Sequence, residues 1–173
     1  IGHPLSSAEA SGKTIGKNIF LETSSFQACQ STVLRLDSLL WTNFSPDHLD
    51  YHLSEREYFL AKLKLANRCK NSNNVWIGES VVSNAQKFGI SLNPNFKVVQ
   101  TLGKKGIPLH VDPFFKSVPQ CENLAFALKW ASGFGISHKQ FFEALEGYQA
   151  EPHRLQKVDE VDQVSFWNDS KST

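Results

Sequence analysis

The feature that most constrains this chain is an alternation of short apolar runs with longer stretches of helical periodicity. Asn18–Glu22, Leu39–Phe44, Val75–Gly78, Lys97–Leu102, Leu109–Val111 and Val164–Asn168 are strand-sized, and the first and last of the longer runs stop at Glu22 and Asn168. Runs of this length, bounded by turn residues, read as buried strands. Between them, Ser54–Arg68 carries Tyr58, Phe59, Ala61, Leu63 and Leu65 at helical spacing, with Ser54 and Glu57 placed for a capping box. A second helix is predicted over Ser80–Phe88, stopped by Gly89. A third runs over Glu122–Phe134, with Leu124, Ala127, Leu128 and Ala131 on one face and Gly135 as its stop. A fourth opens at Ser137 and ends at Gly147, while Asn71–Asn74, Gly103–Gly106 and Glu151–Val158 read as turns or polar loop. Strands alternating with helices predict an α/β fold with a mostly parallel sheet flanked by helices.

Length and composition set the limits. At 173 residues the chain can build one domain with a sizeable core. Its formal net charge of +1 gives no electrostatic footprint for nucleic acid, and no apolar run approaches the roughly 18 residues of a spanning helix, so no membrane insertion is expected. The first residues have no basic region followed by an apolar one, so we expect no secretory signal and a cytoplasmic location. Cys29, Cys69 and Cys121 are scattered, which predicts separate thiols rather than a disulfide framework or a zinc site. There is no Met anywhere, even at position 1, so the chain is expected to be a piece of a longer protein. The segment 103–120, richest in Gly and Pro, is read as a connection within the domain.

In open α/β sheets ligands bind beyond the carboxyl ends of the strands. Three polar clusters follow predicted strands: Glu22 with Ser24, Ser25 and Gln27; Asn43 with Asp47, His48 and Asp50; and Asn168 with Asp169, Ser170 and Lys171. A fourth, Glu151-Pro-His153-Arg154, precedes a strand. Carboxylates and histidines converging at strand ends suit a hard divalent cation and phosphate oxygens, though each cluster alone also has the composition of a helix cap.

Taken together these segments resemble the Mur ligases, in particular the branch that adds D-glutamate. LETSSFQ (21–27) is similar to that branch's LExSSFQ segment, and TNFSPDHLDYH (42–52) to the N-x-x-x-DHLD-x-H segment of Mur ligases in general. YFLAKLKL (58–65), ENLAFALKWASGFGI (122–136), EPHRLQKV (151–158) and FWNDSKST (166–173) resemble further family segments in the same order. SSFQ, PHR and NDSK together point to the D-glutamate branch, whereas DHLDYH alone fits equally the branch that adds the third amino acid.

The resemblance implies the central ATP-using domain of such a ligase, covering residues 1–173 but lacking its phosphate-loop strand and helix. The UDP-binding domain before it and the amino-acid-binding domain after it would be absent. It implies an enzyme that uses ATP and two magnesium sites to phosphorylate the carboxylate of UDP-N-acetylmuramoyl-L-alanine, and then lets D-glutamate attack the acyl phosphate in peptidoglycan synthesis. The parent is expected to be monomeric, and this piece alone inactive. By the same resemblance Glu22 and His48 are magnesium ligands, and Lys62 is the lysine carbamylated by CO₂ to become an oxygen ligand. Tyr58, one helical turn earlier, would orient Lys62. Ser24 and Gln27 would contact the muramoyl substrate. Asn123 would read adenine, Arg154 the nucleotide phosphates, Asp169 the ribose, and Lys171 the phosphate side near a hinge, with His153 a neighbouring family histidine.

Two departures bear on this. Ser11-Gly12-Lys13-Thr14 is not a phosphate loop, because that motif needs a Gly where Ser7 stands and a strand before it; an ordinary surface loop is expected. The family's G-x-H-N-x-x-N pattern is replaced by Ser117-Val-Pro119-Gln120-Cys121-Glu122-Asn123, which bears on nucleotide affinity. The alternatives are a related ligase adding another amino acid, or a catalytically dead remnant serving as a structural or interaction module.

Overall fold

β-Branched and aromatic runs make strands here only where a neighbour offers hydrogen bonds. In the computed structural model, which describes residues 4–103, 106–148 and 151–171, β1 (Leu39–Trp41), β2 (Val75–Gly78) and β3 (Lys97–Val99) form a parallel sheet in that order. Trp41 pairs with Ile77, and Ile77 with Val98. Each parallel pair is joined through a helix, α3 (Glu55–Ala66) between β1 and β2, and α4 (Glu79–Lys87) between β2 and β3. The expected α/β class with a mostly parallel sheet flanked by helices is what the chain builds.

The chain divides into two compact units, between Thr101 and Leu102. In the first, Val75 and Ile77 of β2 are buried in one cluster with Phe59, Leu63 and Ala66 of α3 and Val81 and Ala85 of α4. Phe59 is 0% exposed, and burying a side chain of this kind contributes about 1.5–3 kcal/mol. Trp41 and Phe44 extend the cluster, Phe44 packing 5.0 Å from Tyr58 and 5.1 Å from Phe59 between ring centroids. Trp41 is buried with its Nε1–H unpaired among the described residues.

The caps read from sequence are present. Ser54 Oγ accepts the Glu57 amide at 3.2 Å, although the Glu57 carboxylate takes the Leu53 amide rather than completing the box on Ser54. Gly89, with φ of 63°, ends α4 in a conformation that disfavours a side chain. A short helix, α1 (Leu5–Ala10), precedes the SGKT segment, which is a turn, exposed at Ser11, Gly12 and Lys13, with no strand before it among the described residues.

α2 (Ser25–Gln30) is too short to stand alone. It packs on α3, and its carboxyl end is held there: Lys64 Nζ donates to the Cys29 carbonyl and Arg68 to that of Ser31. The run Asn18–Glu22 before it is not a strand. Ile19, Phe20 and Leu21 are exposed, and among the described residues the run is not part of either sheet.

In the second unit, α5 (Gln120–Ser132) buries Cys121, Leu124 and Leu128 against Ile107, Val111, Phe115 and Phe142, the last from α6 (His138–Glu143). Ser137 and Gln140 form the capping box of α6. Leu109–Val111 is a turn and not a strand, with the Val111 amide bonded to the Pro108 carbonyl at 3.2 Å and Leu109 94% exposed. The final run does form β5 (Val164–Asn168), but it joins no parallel sheet. It pairs antiparallel with β4 (Gln156–Val161), part of which lies in the segment expected to be loop. Asp162 and Gln163, both at positive φ (50° and 65°), make the two-residue turn between them. All three cysteines are free thiols, and no described helix is long and apolar enough to cross a membrane.

Candidate active site

Beyond the carboxyl end of β1 the chain runs over the core before entering α3. The Phe44 amide donates to Ser80 Oγ at 3.0 Å, tying this segment to the start of α4. At the following turn His48 takes a left-handed conformation, φ 55°. Its amide donates to Asp47 Oδ1 at 2.8 Å, and its Nε2 lies 3.6 Å from Asp47 Oδ2. The turn closes when the Tyr51 and His52 amides both donate to the His48 carbonyl, at 3.1 and 2.9 Å.

α3 then places Tyr58 and Lys62 one helical turn apart on the same face. Lys62 Nζ lies 5.1 Å from the centroid of the Tyr58 ring, and the His48 ring meets Tyr58 edge-on at 5.8 Å. Burial lowers the pKa of the Lys62 amine from its ordinary value, with the Asp47 carboxylate opposing the change. Burial raises the Tyr58 phenol, and Asp47 adds to the rise. His48, Tyr58 and Lys62 are therefore assembled around Asp47, which the sequence offered in its strand-end cluster with Asn43, His48 and Asp50 but without a role of its own. Phe26 completes the wall, its ring 4.9 Å from His48 and 4.6 Å from Tyr51.

Ser24 and Gln27 lie at the amino end of α2 and are bonded to each other. Ser24 Oγ accepts the Gln27 amide at 3.3 Å, and Gln27 Oε1 accepts the Ser24 amide at 2.9 Å. Glu22 is exposed just before this cap. Among the described residues no group of three or more His, Cys, Asp or Glu side chains is close enough to hold a metal ion, so Glu22 does not join Asp47 and His48 in one.

The remaining predicted residues lie in the second unit. Asn123 is exposed in the first turn of α5, its amide bonded to the Pro119 carbonyl at 3.1 Å. The PHR and NDSK segments meet at the open end of the β4–β5 hairpin. His153 Nδ1 lies 2.9 Å from Asn168 Nδ2, the Leu155 amide donates to Asp169 Oδ1 at 3.0 Å, and the Lys171 amide donates to the His153 carbonyl at 3.2 Å. Arg154 is half-buried there, and its Nε is buried without a partner among the described residues. The structure thus brings together His48, Tyr58 and Lys62 in one unit, and His153, Arg154, Asp169 and Lys171 in the other. Asp47 and Ser25 were named in the polar clusters without a role of their own, and His52 was not singled out from the sequence. Asp47 and His52 stood in the DHLDYH run and Ser25 in SSFQ, so the signal was there.

Residues 1–120 match the Mur ligase middle domain. Along its whole length the chain is 31% identical to the UDP-N-acetylmuramoylalanine–D-glutamate ligase of Rickettsia felis, covering 42% of that protein. Over 91% of its length it is 33% identical to the enzyme of the same name from Pseudothermotoga lettingae, covering 38% of it. It is 34% identical, again over its whole length, to that of Desulfovibrio desulfuricans, covering 38%. The chain thus spans about two fifths of the length of these curated relatives.

Proposed function

The chain belongs to the Mur ligase middle-domain family, and from that premise we propose that the protein carrying it is an ATP-dependent amide-bond ligase joining D-glutamate to UDP-N-acetylmuramoyl-L-alanine in the cytoplasm. The γ-phosphoryl group of ATP passes to the alanyl carboxylate, leaving ADP and an acyl phosphate. The amine of D-glutamate attacks the acyl carbon, loses a proton, and expels phosphate. Charge neutralisation and positioning dominate both steps.

The observation that carries this reading is the packing of Lys62 against Tyr58, whose ring His48 meets edge-on, within the field of Asp47 and with the Lys62 amine pKa lowered by burial. A neutral amine can add CO₂, forming an N–C bond and releasing a proton. The ammonium of an unmodified lysine would repel a divalent cation, whereas the carbamate supplies oxygen, so the donor set fits magnesium when Lys62 is carbamylated. We assign His48 and carbamylated Lys62 to one magnesium site and Glu22, which does not join Asp47 and His48, to a second. Bound magnesium would neutralise phosphate charge and polarise the phosphoryl oxygens. Tyr58 orients Lys62, and Asp47 holds the His48 turn. Ser24 and Gln27 would contact the muramoyl substrate by exchanging their capping bonds. In the second unit Arg154 would hold the nucleotide phosphates, where a planar fork suits phosphate oxygens, with Asp169 on the ribose, Lys171 near the phosphates and Asn123 on adenine.

A second reading, a catalytically dead relative acting as a structural module, is favoured by the altered segment 117–123 and by the exposure of Asn123. One experiment separates the two. Phosphate release by the full-length protein should require Mg-ATP, the muramoyl substrate and D-glutamate. It should fall roughly 10²–10³-fold in Lys62→Ala and recover on adding a short carboxylic acid. A folded protein that releases no phosphate with any amino acid would move the assignment to the structural module.

A further inference from the structure

Two polar side chains are buried among the described residues, Ser25 (1% exposed) and His52 (5%), and they bond to each other. His52 Nε2 lies 3.0 Å from Ser25 Oγ, across 27 residues of sequence. The reading above gives neither of them a role. Ser25 is the first residue of α2, beside Ser24 and two positions before Gln27. His52 closes the turn at His48 through its own amide. Its ring lies between Phe26, stacked at 5.8 Å, and Tyr58 at 5.2 Å. One end of the bond thus sits at the helix start that carries the proposed substrate contacts. The other sits at the turn and aromatic face that carry His48 and Lys62.

The surroundings are aromatic, so an apolar residue at either position would also fill the space. What a buried polar pair adds to packing is a single register, because each group loses its partner if the elements slide. We infer that the Ser25–His52 hydrogen bond is a positioning clasp that keeps the start of α2 in register with the His48 turn and Lys62. The inference rests on the proposed ligase reading, and deepens it by naming two residues that act through others.

The test compares Ser25→Ala and His52→Phe with Ser25→Thr, which keeps the hydroxyl, and His52→Gln, whose amide nitrogen can take the place of Nε2. Two readouts are taken on the full-length protein: the Mg²⁺ dependence of phosphate release, and Mn²⁺ affinity by electron paramagnetic resonance without turnover. Ser25→Ala should raise the half-saturating Mg²⁺ concentration and the Mn²⁺ dissociation constant about 10–100-fold, the range found when residues behind metal ligands are removed. The Thr and Gln variants should recover most of this. The double variant Ser25→Ala/His52→Phe should be no worse than His52→Phe alone, since both remove one bond. If His52→Phe does not fold, Ser25→Ala, which deletes a single hydroxyl, carries the test. A folded Ser25→Ala with unchanged metal dependence, even with a lowered Tm, would overturn the clasp, and so would a Ser25→Ala that does not fold. If the wild type releases no phosphate, the ligase reading fails while the Mn²⁺ comparison still decides the clasp. Weaker Mn²⁺ binding in Ser25→Ala sustains it, and unchanged or absent binding overturns it.

Discussion

Two groups of predicted functional residues are held in place by different physics. His48, Tyr58 and Lys62 stand on an aromatic core in which Phe44 and Phe59 are almost fully buried, and their positions follow from side-chain packing. Arg154, Asp169 and Lys171 stand at the end of a hairpin in which every residue from Gln156 to Val161 is exposed, as are Val164 to Trp167. There the order comes from hydrogen bonds at the hairpin's end, the Leu155 amide to the Asp169 carboxylate and the Lys171 amide to the His153 carbonyl. The first arrangement transmits a change in the core to the site, because close-packed interiors do not deform smoothly. The second tolerates changes in its exposed strand side chains as long as the ladder and the Asp169 and Asn168 bonds at its end stay paired.

Phe59→Ala should have the largest effect on stability, about 3–5 kcal/mol, read from denaturant unfolding of the full-length protein. A loss under about 1 kcal/mol would mean that the first group does not depend on its core. Arg154→Ala comes next. It should raise the KM for ATP roughly 10–100-fold, the scale of a hydrogen bond to a charged group, while leaving the unfolding midpoint where it was. A drop in Tm with KM unchanged would reassign Arg154 to the fold. Phe166→Ala, on the exposed hairpin, should change stability by no more than about 0.5 kcal/mol; a cost approaching that of Phe59→Ala would show that the hairpin packs on something and erase the contrast.

The comparison also explains what could be read in advance. α3, α4 and α5 announce themselves because their caps and stops are local: Ser54, Gly89 and the run of Leu124 and Leu128 lie within a few residues of what they specify. Asn18–Glu22 misleads because an apolar run has strand character only with a neighbour to pair, and that depends on residues far along the chain. Gln156–Val161 misleads in the other direction. Its first residues fall in the polar stretch Glu151–Val158 that reads as loop, yet a two-residue turn at Asp162-Gln163 folds Val164–Asn168 back on it. At the site, the resemblance carried by DHLDYH and YFLAKLKL selects His48, Tyr58 and Lys62, which the structure does assemble. The bond between Ser25 and His52 was out of reach, since no local rule links positions so distant.

α3 is in effect a three-edged rod. Tyr58 and Lys62 line one edge, Phe59, Leu63 and Ala66 a second, and Lys64 with Arg68 just beyond the end forms the third, gripping the tail of α2. Each residue turns the helix by about 100°. One extra residue inside this stretch would therefore swing every later edge away from its partner at once, detaching chemistry, core and α2 together. The spacing within 58–68 is consequently as constrained as any side chain it carries. Homologues that differ in length are expected to take up the difference in the loops, such as 89–96, where one more residue rotates nothing.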